Sequence, residues 1–127
     1  MSGIAAAELA IQRTLTKEFI RADSMEIVLE RAPLTADGEG GWVRGTPTPL
    51  PAQTMRLIPL QDGTPGGQNR FTADGEAVRP GYMLMGLHTA DMQRHDRFTT
   101  AEGNYEIVFV NANRQYEVKG EVYRYGR

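Results

Sequence analysis

From Met25 to Tyr125 the apolar residues fall mostly on alternate positions in short runs, and a helical period is found only before Asp23. A chain patterned this way has no strand–helix–strand repeats from which to build a parallel sheet. It can make one helix followed by antiparallel strands. The 127 residues fit one domain, and a chain of this size can bury roughly two thirds of the surface its unfolded form exposes. No linker separates two cores and no internal repeat is visible. The expected fold is α+β: a single domain over residues 1–127, with an N-terminal helix over about 3–22, a small, mostly antiparallel β-barrel, closed or nearly so, over about 25–125, and one long projecting loop over about 61–81.

In the helix, with Ser2 available as N-cap, Ile4, Ile11, Leu15, Phe19 and Ala22 share one stripe at ~100° per residue. Arg13, Lys17 and Arg21 fall opposite, and a smaller patch of Leu9 and Ile20 lies between. Two apolar patches imply two packing partners. The basic row reads as a solvated face or a contact with an acidic neighbouring subunit.

Beyond Ser24, MEIVLER alternates as a half-buried strand, with Met25, Ile27 and Leu29 on one side. TADGEGG, residues 35–41, supplies turn residues before Trp42 and Val43 restart a strand, so a long-tipped hairpin is expected. TPTPLP, residues 46–51, lacks the N–H donors of a central strand and reads as an edge connector. Another strand runs over about 53–60. Residues 61–81 hold five glycines and few large apolar side chains, too little to offset the entropy of ordering them. Tyr82 to His88 reads as a strand covered on both faces, and 105–110 as the strongest strand, with Tyr105, Ile107 and Phe109 on one side. The last strand places Tyr116, Val118 and Val122 inside, against Glu117, Lys119, Glu121 and Tyr123 outside, with Gly120 at a bulge or bend.

The net charge of −2 lacks the broad electrostatic footprint of a nucleic-acid binder. The absence of cysteine excludes disulfides, thiolate zinc sites and cysteine nucleophiles. No stretch approaches the ~20 apolar residues of a membrane span, and the N-terminus does not read as a signal peptide. A soluble protein with no membrane partner is expected. The sequence also has no phosphate-binding loop and no nucleophile elbow, and GEGG at residues 38–41 reads as a turn rather than a dinucleotide fingerprint.

One constellation remains, His88, Asp91, His95 and Asp96. On a helical turn Asp91 and His95 are i and i+4 and could face one metal ion, with Asp96 or His88 as a third ligand. Their spacing matches no strong metal motif, whereas Asp96 is well placed to bond backbone N–H groups ahead of a strand. The structural reading is therefore preferred, and no catalytic residue, metal or cofactor is assigned.

The order of parts, a helix, MEIVLER, a Gly/Asp-rich hairpin tip, a long loop, then HDRFTTAEGNYEIVFVN at residues 95–111 and a final polar-faced strand, resembles the head-closure or stopper proteins of tailed-phage head-tail connectors. That group is found also in prophages and gene transfer particles. Asp96-Arg97-Phe98, Gly103 and Tyr105-Glu106-Ile107-Val108 are similar to the family's Gly-Asp-x-Φ, Gly, Tyr-x-Val pattern, with His95 where glycine is usual. The resemblance implies an assembly protein without catalysis, located in the virion neck and assembled in the host bacterial cytoplasm. It implies a homo-oligomeric ring, six- or twelve-fold, with a portal or adaptor protein above, tail proteins below, and double-stranded DNA passing without sequence-specific binding. A channel-closing loop would then include Asp62, Gly63, Gly66, Gly67, Arg70, Asp74 and Arg79. Subunit contacts would use Leu9, Arg13, Lys17, Arg21, Tyr123 and Tyr125, and Asp96 and Gly103 would form the structural turn. An adaptor or tail-terminator subunit, a free-standing barrel that binds a peptide at its sheet edge, and a metal-dependent enzyme are the alternatives.

Overall fold

The computed structural model describes residues 5–60, 69–112 and 114–126. Helix α1 (Ala6–Arg21) precedes β1 (Met25–Ile27), β2 (Glu30–Arg31), β3 (Leu34–Ala36), β4 (Trp42–Arg44), β5 (Thr48–Pro49) and β6 (Gln53–Pro59). After these come β7 (Arg70–Phe71), β8 (Ala77–Val78), β9 (Tyr82–Leu87), β10 (Arg97–Thr100), β11 (Gly103–Asn111) and β12 (Glu117–Gly126). Eight strands form one antiparallel sheet in the order β1-β6-β9-β12-β11-β10-β2-β5, and β3-β4 and β7-β8 are separate hairpins. The architecture is α+β, as expected, but the sheet is a half-barrel rather than a closed one. Segment 25–31 gives β1 to one end of the sheet and β2 to the other, with Val28 and Leu29 as the break between them.

Alternation places the core where the sequence puts it over most of the sheet. Ile27, Leu29, Met55, Leu84, Met92, Phe98, Tyr105, Ile107, Val118 and Val122 form one buried cluster. Tyr105 stacks on Phe98, centroids 4.9 Å apart, and meets Tyr82 edge-on at 5.3 Å. Burying each large side chain contributes about 1.5–3 kcal/mol. Gly120 lets Met92 lie across the sheet, because a Cβ there would stand 3.0 Å from the Met92 sulfur.

Three expectations need correction. The register of β11 on β12 shifts between Ile107 and Phe109, so a bulge at Val108 turns Phe109 outward under the Arg70 guanidinium, 3.8 Å from its ring, and turns Val110 toward the core. Glu117, expected in solvent, is buried and paired with Lys119 at 3.1 Å. Of the expected projecting loop, residues 61–68 lie outside the described residues, while 69–81 form a hairpin docked on the sheet. Ala73 and Thr72 are buried, and Arg70 grips Glu121 through two bonds of 2.9 and 3.0 Å.

Helix α1 packs on β6 and β9. It begins at Ala6 with Ala5 in the N-cap position rather than near residue 3 as expected, and the expected cap Ser2 lies outside the described residues. The helix uses the smaller apolar patch: Ile20 and Thr16 are buried and Leu9 is half-buried. Ile11, Leu15 and Phe19, on the larger stripe, are 59, 58 and 44% exposed. Among the described residues, no helix is long and apolar enough to cross a membrane.

Candidate functional site

The turn at residues 93–96 enters β10, and its backbone is unusual at one place. His95 has φ +76°, the single non-glycine residue with positive φ among those described. The residue is held by its own N–H to Ile107 O at 2.6 Å, by Ile107 N–H to Asp96 O at 2.8 Å, and by an Arg44 guanidinium bond to His95 O at 2.9 Å. These bonds fix a conformation that glycine adopts without strain and most residues avoid.

The carboxylates on either side of this turn are buried and fully engaged. Asp96 accepts Arg31 in a two-pronged pair, 3.0 Å to Oδ1 and 2.8 Å to Oδ2, and takes the Gln93 N–H at 2.8 Å. Arg31 reaches Asp91 at 2.9 Å as well. The hydrogen bonds to Asp96 raise the Arg31 pKa above its ordinary value, more than its partial burial lowers it. Glu106 accepts His95 Nδ1 at 3.1 Å and the Ala73 N–H at 2.8 Å on Oε2, and Arg97 Nε at 3.0 Å on Oε1. Burial by itself pushes the Glu106 carboxyl up, but the bonds from His95, Ala73 and Arg97 outweigh it and hold the group below the usual carboxylate value.

An ionised carboxylate has no proton to give, so His95 Nδ1 carries the hydrogen of this bond. No buried side-chain nitrogen or oxygen lacks a partner among the described residues, so Nε2, which has none, reaches solvent. It can exchange hydrogen bonds with water there. His95 lines a cleft of about 560 Å³ between the β3-β4 and β7-β8 hairpins, walled by Leu34, Trp42 and Phe71, with Arg94 at its lip. An adjoining space of about 540 Å³ shares Leu34, Arg94 and His95 and continues to Pro33 and Leu50. Trp42 and Phe71 are 45 and 52% exposed.

The residues considered as metal ligands are not brought together. Asp91 and Asp96 are both drawn to Arg31, His95 turns to Glu106, and His88 stands exposed on the turn after β9. Among the described residues, no group of three or more His, Asp or Glu could hold a metal ion.

The residues expected at subunit contacts are scattered. Leu9 faces the body, and Arg13, expected on an outer basic row, instead turns inward to the Gln115 carbonyl at 3.1 Å. Lys17 and Arg21 are exposed, the latter paired with Glu18 at 3.3 Å. Tyr123 is half-buried with its hydroxyl 3.5 Å from Glu76, and Tyr125 is exposed beneath the Arg97 guanidinium.

Of the residues expected in the loop, Arg70 is clamped, Asp74 sits on the hairpin turn 3.8 Å from Arg97, and Arg79 is exposed after β8. Asp62, Gly63, Gly66 and Gly67 lie outside the described residues. Gly103 begins β11 just past the Ala101-Glu102 turn, where a Cβ would stand 2.4 Å from the Gly126 carbonyl.

The partners of Glu106 were not anticipated from the sequence, yet a signal for one exists. Against the expectation of no internal repeat, the pentapeptide TADGE occurs twice, at residues 35–39, the expected hairpin tip, and at residues 72–76. Both copies turn through a glycine of positive φ, +81° at Gly38 and +86° at Gly75. Comparison with protein-family models gives no match to this chain, and comparison with curated proteins gives none either.

Proposed function

We propose that this chain is a structural subunit of the neck of a tailed-phage-like particle, of the head-closure type, which sits as a ring below the portal or adaptor, retains packaged DNA and receives the tail. Its role is assembly, without catalysis. The observation that carries this reading is the left-handed backbone at His95. It falls at the position where the resembled pattern has glycine, and the next residue, Asp96, ties Arg31 to the start of a sheet strand. A Gly-Asp pattern at that place has a geometric reason, and this chain meets the same requirement with a histidine braced by Glu106.

Two further features support the reading. The body ties distant segments together through partly buried ion pairs, Arg31 with Asp96 and Arg97 with Glu106, which suits a ring subunit under DNA pressure. The net charge of −2 favours passage of DNA over tight binding to it. An adaptor or tail-terminator subunit of the same neck is the neighbouring alternative. The channel-closing part of the proposal now rests on residues 61–68, because 69–81 are occupied in holding the sheet.

The test is genetic. Particles made without this chain should consist of filled or leaking heads and separate tails under the electron microscope, and normal tailed particles would refute the neck assignment. Deleting residues 62–67 in the intact gene should cause DNA loss from filled heads. Full retention of DNA would remove the channel-closing part.

A further inference from the structure

The outer face of α1 carries more than three apolar side chains. At ~100° per residue, Glu8 and Glu18 fall on the same side as Ile11, Leu15 and Phe19, and Arg13, Lys17 and Arg21 point elsewhere. The result is an apolar row edged by acid, with its three large side chains 44–59% exposed and the Arg56 guanidinium lying over the Phe19 ring at 4.2 Å. Ile11, Leu15 and Phe19 are one turn apart, the spacing with which an amphipathic helix enters a groove. Glu18 is engaged by Arg21, while Glu8 is exposed and has no partner among the described residues.

A surface of the opposite character lies across the molecule. The cleft has apolar walls at Leu34, Trp42 and Phe71 beside the polar Thr72 and His95, and Arg94 at its lip is exposed with no ion-pair partner among the described residues. Exposed aromatic side chains and an arginine together are the composition of interface anchors. The helix lies on β6 and β9, whereas the cleft lies by the turn that enters β10. Strands β12 and β11 stand between these two parts of the sheet. The row of α1 is exposed and none of its residues lines the cleft, so in this fold the chain does not fill its own cleft with its own helix.

We propose that α1 of one copy seats its Ile11/Leu15/Phe19 row in the Trp42/Phe71 cleft of the next copy, with Glu8 paired to Arg94. The occupant of each surface is a second copy of this chain. Because the two surfaces differ and lie on separate sides, the contact is heterologous, and its repetition generates a ring or an open chain rather than a closed dimer. The assignment rests on the ring reading above and specifies the surfaces that make the ring.

The experiment is sedimentation equilibrium of the full chain over a wide concentration range. The parent protein should associate beyond a dimer. Leu15→Glu, which spoils the row, and Trp42→Glu, which spoils the cleft, should each raise the half-association concentration about 30-fold or more. Mixed one to one, the two variants should form a complex that stops at two chains, since the first keeps an intact cleft and the second an intact helix. Arg94→Glu should weaken association, and adding Glu8→Arg to the same chain should restore it, which guards against misfolding as the cause.

A parent protein that stays monomeric at all concentrations overturns the proposal. So do variants that associate like the parent, or a mixture that gains nothing. None of these results touches the neck assignment, which is decided by the morphology of particles made without the chain.

Discussion

Around Glu106 the chain buries charge, and along α1 it leaves isoleucine, leucine and phenylalanine in water. Glu106 is 1% exposed yet well stabilised, because donors from His95, Arg97 and the Ala73 backbone replace the water it loses. Ile11 is 59% exposed on a helix whose other face is docked. The difference teaches that side-chain type decides neither case. What decides is whether the chain itself supplies a partner: on the outer row of α1 Phe19 has the Arg56 guanidinium 4.2 Å from its ring, while Ile11 and Leu15 stay 59 and 58% exposed.

The largest expected effect comes from breaking the buried side of this comparison. Glu106→Ala leaves His95, Arg97 and the Ala73 N–H without their acceptor and should cost about 3–5 kcal/mol in urea unfolding. A loss under about 1 kcal/mol would mean that the brace is ornamental. Next comes the docked face of the helix, where Ile20→Ala should cost about 2–5 kcal/mol.

The pH dependence sharpens the comparison further. The folded-state pKa of Glu106 is depressed, so its contribution is fully present above the unfolded carboxylate value of ~4.3 and is lost as pH falls through the folded value. Parent stability should therefore drop on acidification below about pH 4.3, and Glu106→Gln should flatten part of that drop. An unchanged acid profile in the variant would contradict the assignment. The smallest effect belongs to the exposed face: Leu15→Ser should leave the unfolding of the isolated chain within about 0.5 kcal/mol of the parent. A larger loss would show that the row is already covered.

The alternating pattern made the strands and most of the core legible, since Ile27, Ile107 and Val122 each sit on the side their spacing assigns. It failed at Val108, where one extra residue in β11 reverses the faces beyond it. Hairpin β7-β8 was missed because what it buries is small: Ala73 and Thr72 add little apolar area, and a backbone N–H to a carboxylate does the holding. The helical stripe was visible in the sequence, but periodicity ranks faces by apolar content and not by which one meets the sheet. Here the lesser patch, roughly 120° round the helix, is the one that docks. At the candidate site, Asp96 was legible as a backbone-bonding residue. Its pairing with Arg31 across 65 positions was not, because ion pairs between distant segments leave no periodic trace.

An open sheet has ends, and strand β5 is one of them. Pro47, Pro49 and Pro51 deprive that margin of alternate N–H groups, so it is a poor template for another strand. The consequence concerns the time between synthesis and use. A polypeptide that accumulates in the cell must resist fibrous stacking at rising concentration, and backbone pairing, once started, is slow to reverse. With that route blunted by proline, any contact between copies is left to side chains, which detach and re-seat readily.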